Sequence, residues 1–435
     1  MPGLPSLWKT PVEKVVLNVA TGLAKSRRPV VPVAGIDESK VEANRFVAAF
    51  CGTGTGHFTQ TLAVIKILQK AGMTLAAVIT DDAASKKMLD ETIQNLGVEV
   101  LILPTVNFVD PVRGTSPLRD GPRLLRKIAK WDAAINAKAD ALTKLFVGAR
   151  AGLLLNFFLF PLARWMEFSP LPPCVRTLHI APQFCLAGLP LSKLGSVDEV
   201  IHKAFIEVMR RVFAASAPCH GISARPDAAG LGTVDPPLAP IIELPEELAP
   251  ADGKAQAPLL LCYFLVQKDA RRLERLIAKN GLPGVEVHCF TAEALTEPKG
   301  RPLALHSHPK QRALFQELFS KCTGVICSSG NETIWEAVSR GVPVLTIPSP
   351  GNGEQMLNAV SHAANHPLLV RGCRKLRMRD VRWIAGFEHS EVTRQESRTL
   401  RTRVAALEST GSEGLAQLVR GAGTREAEGS KAEKA

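Results

Sequence analysis

Short apolar runs recur along the chain, separated by stretches whose apolar positions fall at helical spacing. Arg45–Phe50, Thr74–Ile79, Val98–Leu103, Gly152–Leu155 and Val175–Ile180 are compact and apolar, as strands buried on both faces must be. Between them, Thr59–Ala71, Ala83–Asn95, Leu124–Phe146 and Val197–Ala214 carry the spacing of amphipathic helices. Gly221–Ala224 and Gly232–Val234 read as short closing strands. The stretch Pro236–Pro258 is dense in Pro, Ala and Glu, which marks a linker.

The alternation then resumes. Leu259–Leu265, Val285–Phe290, Leu303–Ser307, Gly324–Cys327 and Val344–Ile347 predict strands. Asp269–Lys279, Gln311–Ser320, Thr333–Ser339 and a segment opening at Glu354 predict the intervening helices. Glu391–Leu407 is helical in pattern, and Gly423–Ala435 is a charged tail expected to be disordered. Strand–helix alternation run twice predicts an α/β chain of two parallel-sheet domains. The expected division is an extension over 1–44, a first domain over 45–235, a linker over 236–258, a second domain over 259–388, terminal helices over 389–422 and the tail over 423–435. Residues 1–40 fit either an organelle transit peptide or a helix over Pro11–Leu23 followed by a linker.

Leu153–Met166 is the most apolar segment. It fits an interfacial helix seeking lipid, or a buried strand to Asn156 followed by an amphipathic helix. Asn156 and Pro161 punctuate it and favour the second; peripheral membrane contact remains an open expectation.

Candidate chemistry concentrates between Ser328 and Ala359. A strand that ends in Ser328, Ser329 and Gly330 and opens a helix leaves backbone N–H groups unpaired, and these with the helix dipole suit a phosphate. Gly330 lets an anion approach the backbone, and Thr333 adds a hydroxyl in the first turn. Glu336 lies three residues on, on roughly the same face, where it can accept from ribose hydroxyls. Glu354 and Gln355 head the next helix with an acceptor and an amide for sugar hydroxyls. Each piece alone is more often a turn or a solvated helix residue; the combination is more specific.

A second glycine-rich strand–helix turn lies at Gly52, Gly54 and Gly56. Its spacing does not make the dinucleotide fingerprint, because the third glycine falls too early. His57 follows at the helix start, at the C-terminal edge of the first strand, where open α/β sheets place ligands. The dipole there favours neutral imidazole, the form a general base requires. A capping histidine without a catalytic task is the plainer alternative.

Composition narrows the classes. The 435 residues allow two to three domains, and 46% hydrophobic with 22% charged residues is globular. No apolar run reaches the ~20 residues of a membrane span. The 53 Lys and Arg against 41 Asp and Glu favour anionic ligands. Aromatics at 5%, with one Tyr, offer no stacking platform, so no nucleic-acid partner is expected. Nine scattered cysteines argue against a disulfide framework and for reduced thiols inside the cell, in cytoplasm or organelle stroma. No secretory signal is apparent. His306 and His308 show no third ligand in the sequence, so no metal is expected.

Taken together, Ser329-Gly330, Thr333, Glu336-Ala337, Gly341-Val342-Pro343, Glu354-Gln355 and Asn358-Ala359 resemble the C-terminal donor-site signature of the GT-B glycosyltransferases. The likeness is to plant-type UDP-glycosyltransferases and to the bacterial peptidoglycan N-acetylglucosaminyltransferases. Gly56-His57 matches the Gly-His that ends their first loop. The resemblance implies two Rossmann-like domains with parallel sheets facing across a cleft, and C-terminal helices crossing back onto the first domain.

By the same likeness, Ser328, Ser329, Gly330 and Thr333 hold the donor diphosphate, with Gly54 and Gly56 lining the facing loop. Glu336 binds the ribose, Glu354 and Gln355 the sugar, and His308 with Gln311 the uracil. His57 deprotonates the acceptor. Asn156, at the position of the plant enzymes' orienting aspartate, holds His57 through its carbonyl oxygen; Asp81, Asp110 and Asp120 are other candidates for that task. Glu332 stands where those enzymes carry Asn, and its carboxylate repels a diphosphate unless it points away.

The implied reaction is inverting, metal-independent transfer of a hexose from a nucleotide sugar, a UDP-sugar by the resemblance, to an acceptor hydroxyl, with no separate cofactor. The acceptor class stays open among lipid, sterol, metabolite and glycan. Two alternatives remain: a nucleotide-sugar epimerase, and a non-catalytic nucleotide-sugar-binding subunit.

Overall fold

The computed structural model describes residues 30–52, 56–82, 96–105, 130, 132–188, 206–207, 209–225, 228, 237–242, 244, 258–297, 302–349, 352–388 and 390–421. Two six-stranded sheets are built from them. The first runs through β1 (Glu42–Phe50), β2 (Thr74–Asp81), β3 (Glu99–Leu103), β4 (Ala151–Phe157), β5 (Arg176–Ala181) and β6 (Cys219–Gly221). The second runs through β7 (Leu259–Tyr263), β8 (Glu286–Thr291), β9 (His306–Pro309), β10 (Gly324–Cys327), β11 (Val344–Thr346) and β12 (Val370–Gly372). Every pairing is parallel.

The strand orders are β3-β2-β1-β4-β5-β6 and, from the other edge, β9-β8-β7-β10-β11-β12. Both are the doubly wound 3-2-1-4-5-6 order, which reverses direction between its first and fourth strands and opens a crevice there. The two switch points are thus β1/β4 and β7/β10.

The strands are buried on both faces. Alternate residues of β1 divide between two clusters: Phe46, Ala48 and Phe50 face Phe58, Val64 and Leu68, while Val47 and Ala49 face Leu142, Leu145 and Phe146. The first of these clusters continues into the second domain through Val325, Ile334 and Val338. The other face of the second sheet packs Leu260, Cys262, Ile326 and Leu345 against Leu273, Ile277 and Ile384. The nine cysteines are free thiols.

Nine α-helices among the described residues connect and cover these sheets: α1 (Gly56–Lys70), α2 (Ala139–Ala149), α3 (Phe160–Phe168), α4 (Gln267–Asn280), α5 (Arg312–Lys321), α6 (Asn331–Ser339), α7 (Gly353–Asn365), α8 (Met378–Ala385) and α9 (Glu391–Gly421). The last crosses back as expected. It packs on both α1 and α6, buries Leu400 and Val404, and Arg403 Nη1 donates to the Ser223 carbonyl at 3.0 Å.

Several elements differ from the sequence reading. Helix α1 opens three residues earlier than Thr59, which puts His57 in its first turn. In the described part of 124–146, a turn at 137–138 breaks the helix, and α2 carries on beyond it to Ala149. Strand β9 lies three residues later than the apolar pattern suggests, because its paired residues are histidines rather than aliphatics. Residues 237–242 are buried rather than linker-like. Leu238 N donates to the Gly221 carbonyl at 2.9 Å and Ser223 N to the Leu238 carbonyl at 2.9 Å, extending the edge of the first sheet.

The apolar segment on which the expectation of membrane contact rested is interior. Pro161 to Met166 are buried against the first sheet and the aromatic cluster of Phe184 and Phe213. No described helix is long and apolar enough to cross a membrane. The expected helix over Ala83–Asn95, the strand Gly232–Val234, the extension before residue 30 and the tail after 421 lie outside the described residues.

Candidate active site

Both switch points end in loops that meet. In the first domain, Asp81 closes β2 and accepts from Gly52 N at 3.1 Å, tying down the start of the glycine loop. Gly54 lies outside the described residues. Helix α1 then raises His57 toward the second domain.

His57 stacks on Phe158, ring centroids 5.5 Å apart. Phe158 has φ +58°, a left-handed conformation that a bulky residue adopts only when its surroundings impose it. Its ring is held from behind by Phe213, stacked at 4.9 Å, in a π-helical turn over Arg210–Ala214. Burial in this aromatic setting pushes the His57 pKa down to about 4, so the ring is neutral at pH 7.

The partner of His57 is Gln183, in the 3-10 turn after β5. Its Nε2 stands 3.3 Å from His57 Nε2 and donates to Glu354 Oε1 of the second domain at 2.8 Å. The Glu354 carboxylate identifies that end of the amide as the NH2. Its other N–H then points at His57, so His57 Nε2 is the acceptor and carries the lone pair. His57 Nδ1 is buried, and the Gln60 side chain beside the ring opposes part of the burial shift.

Asn156 does not fill the orienting role expected of it. Its Oδ1 accepts from Leu159 N at 2.8 Å and its Nδ2 donates to the Leu159 carbonyl at 3.3 Å. Both ends of the amide are spent on the turn that leads into α3 and holds Phe158 in place. Asp81 is committed to Gly52, and Asp110 and Asp120 lie outside the described residues.

In the second domain, two helices start at the β7/β10 switch without a capping side chain. One is α6, whose N-cap is Gly330; the other is α4, whose N-cap is Val266. Uncapped N-termini side by side leave donors for an anion. Ser328 Oγ accepts from Leu265 N at 3.1 Å, joining the two loops. Ser329 has φ +43°; its hydroxyl bonds Thr346 and its carbonyl accepts from Asn358 Nδ2 at 3.0 Å. A Cβ added to Gly330 would meet nothing within 4 Å, so the space above it is open.

Glu332, Thr333, Glu336 and Arg340 form the partly exposed face of α6, opposite buried Ile334, Trp335 and Val338. Gln355 Oε1 accepts from Ser349 N at 2.7 Å, so this amide shapes the loop before α7. Its neighbour Glu354 is the one that reaches across the cleft. His308 and Gln311 stand two strands away from the switch, at the end of β9. The His308 ring stacks on Phe290 at 4.9 Å and its Nε2 faces His288 Nδ1 at 2.9 Å, while Gln311 is exposed at the start of α5.

Glu332 reaches across the cleft to the first domain. Gln60 Nε2 donates to its Oε1 at 2.5 Å, and a Cβ on Gly56 would fall 2.1 Å from its Oε2. The carboxylate thus lies against the N-terminus of α1 while hydrogen-bonding its own backbone at the start of α6. Burial first, then the nearby Glu354, raise its pKa to about 7. Glu354 is raised by burial too.

The early Gly-His turn and the late Ser-Gly turn therefore face each other, joined by Gln60–Glu332 and Gln183–Glu354. Sequence reasoning had not assigned Gln60, Gln183, Phe158 or Asn358 to the site. Only Asn358, inside the recognised motif, left a signal there; the other three become neighbours through folding alone.

Residues 314–367 match the model of the glycosyltransferase family 28 C-terminal domain. That segment spans α5 to α7 and so contains the Ser328–Gly330 turn. Comparison with curated protein sequences finds no match. Among solved structures, the chain is similar to the Streptomyces sp. SF2575 glycosyltransferase SsfS6, at 15% identity and TM-score 0.51 over 86% of this chain and 99% of that one. The kitacinnamycin glycosyltransferase matches at 13% identity and TM-score 0.54 over 86% and 98%. CalG4, the calicheamicin glycosyltransferase, matches at 14% identity and TM-score 0.50 over 87% and 98%. At these identities the likeness is one of fold.

Proposed function

We propose that this chain, which has the fold of the GT-B glycosyltransferase superfamily, transfers a hexose from a nucleotide sugar, a UDP-sugar by its motif, to an acceptor hydroxyl with inversion. The observation that carries this reading is the Gln183 amide, which touches His57 at 3.3 Å and Glu354 at 2.8 Å. One side chain thereby sets the base of one domain beside the sugar-binding carboxylate of the other.

In this reading the donor enters as the cleft opens and Glu332 gives up its place at the start of α6. The diphosphate takes the N–H groups beyond Gly330, with Ser329 and Thr333 beside it, and Glu336 holds the ribose. Glu354 grips the sugar. The acceptor oxygen attacks the anomeric carbon in line as the bond to the diphosphate breaks; His57 Nε2 takes the acceptor proton, and the uncapped helix donors take the leaving charge. These donors make a catalytic metal and a separate cofactor unnecessary.

A second reading rests on His57 Nδ1, which makes no hydrogen bond to a carboxylate among the described residues. A nucleotide-sugar-binding subunit, with chemistry supplied elsewhere, fits that feature. Donor hydrolysis measured on the native chain and on His57→Ala separates the two. Release of nucleoside diphosphate that collapses in the variant supports transfer by His57. Turnover untouched by the substitution removes His57 as the base. Tight nucleotide binding with no turnover on any acceptor supports the subunit.

A further inference from the structure

Away from the cleft, the parallel pair β8–β9 collects four ligating side chains on one face. The register sets His288 opposite His306 and Phe290 opposite His308, and side chains two residues apart along a strand share a face. Glu286, His288, His306 and His308 are thereby neighbours, although the two pairs lie 20 residues apart in the chain. The sequence shows two histidines without a third ligand; the strand pairing supplies Glu286 and His288.

The ligand atoms of Glu286, His288 and His306 lie within 4.8 Å of one another, the one such cluster among the described residues. His288 Nε2 is 2.7 Å from Glu286 Oε1, and His306 Nε2 is 4.0 Å from the same oxygen. The His288 and His306 rings stack with centroids 4.7 Å apart. Ligands at about 2.0–2.2 Å around a tetrahedral ion sit roughly 3.3–3.6 Å from each other. His306 and Glu286, with side chains 63% and 50% exposed, are free to close that difference, whereas His288 at 11% is fixed. Behind it, His288 Nδ1 faces His308 Nε2 at 2.9 Å. A metal on His288 Nε2 leaves the proton on Nδ1 to donate to His308, the outer-shell contact that metal-bound imidazoles use.

We propose that Glu286, His288 and His306 form a binding site for a divalent transition-metal ion of the zinc class. Two imidazoles and a carboxylate suit zinc, cobalt or nickel rather than the all-oxygen cages of magnesium and calcium. Glu286 opens β8 at the N-terminal edge of the sheet, opposite the edge where the proposed donor binds. The ion therefore takes no part in sugar transfer. It fastens β9, a four-residue edge strand, to its neighbour.

The test titrates the full chain with Zn2+ by calorimetry and with Co2+ by visible absorption, beside His306→Ala, Glu286→Gln and His308→Ala. Both His306 and Glu286 are exposed, so these variants keep the fold; circular dichroism checks it. The expected result is one Zn2+ per native chain, abolished in His306→Ala, weakened in Glu286→Gln and weakened about 10-fold in His308→Ala. Zinc also raises the thermal midpoint of the native chain and leaves that of His306→Ala unmoved. The proposal is overturned by an absence of zinc binding, by equal stoichiometry and affinity in His306→Ala, or by a sulfur-to-cobalt charge-transfer band, which would put the ion on cysteine.

Discussion

The two switch points share a strand order and a position yet are furnished oppositely. At β1/β4 the proposed working group is a side chain, His57, stacked on Phe158 and kept neutral by burial. At β7/β10 it is the backbone: two helices begin without capping side chains around Ser328, Ser329 and Gly330. A dry aromatic surround suits a neutral base; small residues before an uncapped helix suit an anion. The same chain path thus carries two different sets of groups through the choice of a few residues at one kind of junction.

Removing the side chain of the first site tests the contrast most severely. Replacing His57 with Ala should lower kcat by about 10²–10⁴-fold, the usual contribution of a general base, and leave donor affinity nearly unchanged. Steady-state kinetics beside calorimetric donor binding checks both halves.

The second site should respond in the opposite sense. Asn358→Ala frees the Ser329 carbonyl, which is buried and accepts from that amide. A lost buried hydrogen bond costs about 1–3 kcal/mol. Denaturant unfolding should show that loss, and donor affinity should fall while the pH profile of turnover keeps its shape.

The pH dependence separates the two sites further. The proposed base, His57, works only when deprotonated, and burial lowers its pKa to about 4. The acid limb of kcat/KM should therefore fall near pH 4, not near 6.5. Glu332 shifts the other way, up to about 7 from 4.5. A carboxyl group whose pKa is raised binds more protons in the closed form, so its contribution to closure is full below about 4.5 and is lost as pH rises through 7. Small-angle scattering of the unliganded chain should show the domains spreading over that range, and Glu332→Gln should abolish the change.

The smallest effect is expected at Gly56. The atoms nearest a Cβ there are those of the Glu332 carboxylate, the far end of a flexible side chain. Gly56→Ala should leave the thermal midpoint nearly unchanged while weakening the Gln60–Glu332 contact, visible as the same spreading at neutral pH.

These differences also explain what the sequence could disclose. The strand–helix alternation was legible because buried parallel strands read as apolar runs, and the Ser328–Ala359 stretch because its site is contiguous. Glu332 announced itself as an odd charge in a phosphate loop, but its contact with Gln60 across the cleft was not legible. His57 was legible through its loop, but its surroundings were not. Gln183 and Phe213 arrive from segments more than a hundred residues away, and nothing local marks them as its neighbours. Asn156 misled because position was taken for role: its amide fits the Leu159 turn as well as it would fit an imidazole. The histidines of β9 were misplaced for a related reason, since a strand of polar residues lacks the apolar run that signals one.

Transfer by this chain requires one crevice shared by both turns. A crystal structure of the chain with a nucleoside diphosphate tests it directly. The account predicts the diphosphate on the N–H groups beyond Gly330, Glu332 swung off the start of its helix, and His57 facing the β-phosphate side of the ligand. A nucleotide bound elsewhere, or bound with Glu332 still against Gln60, would contradict it.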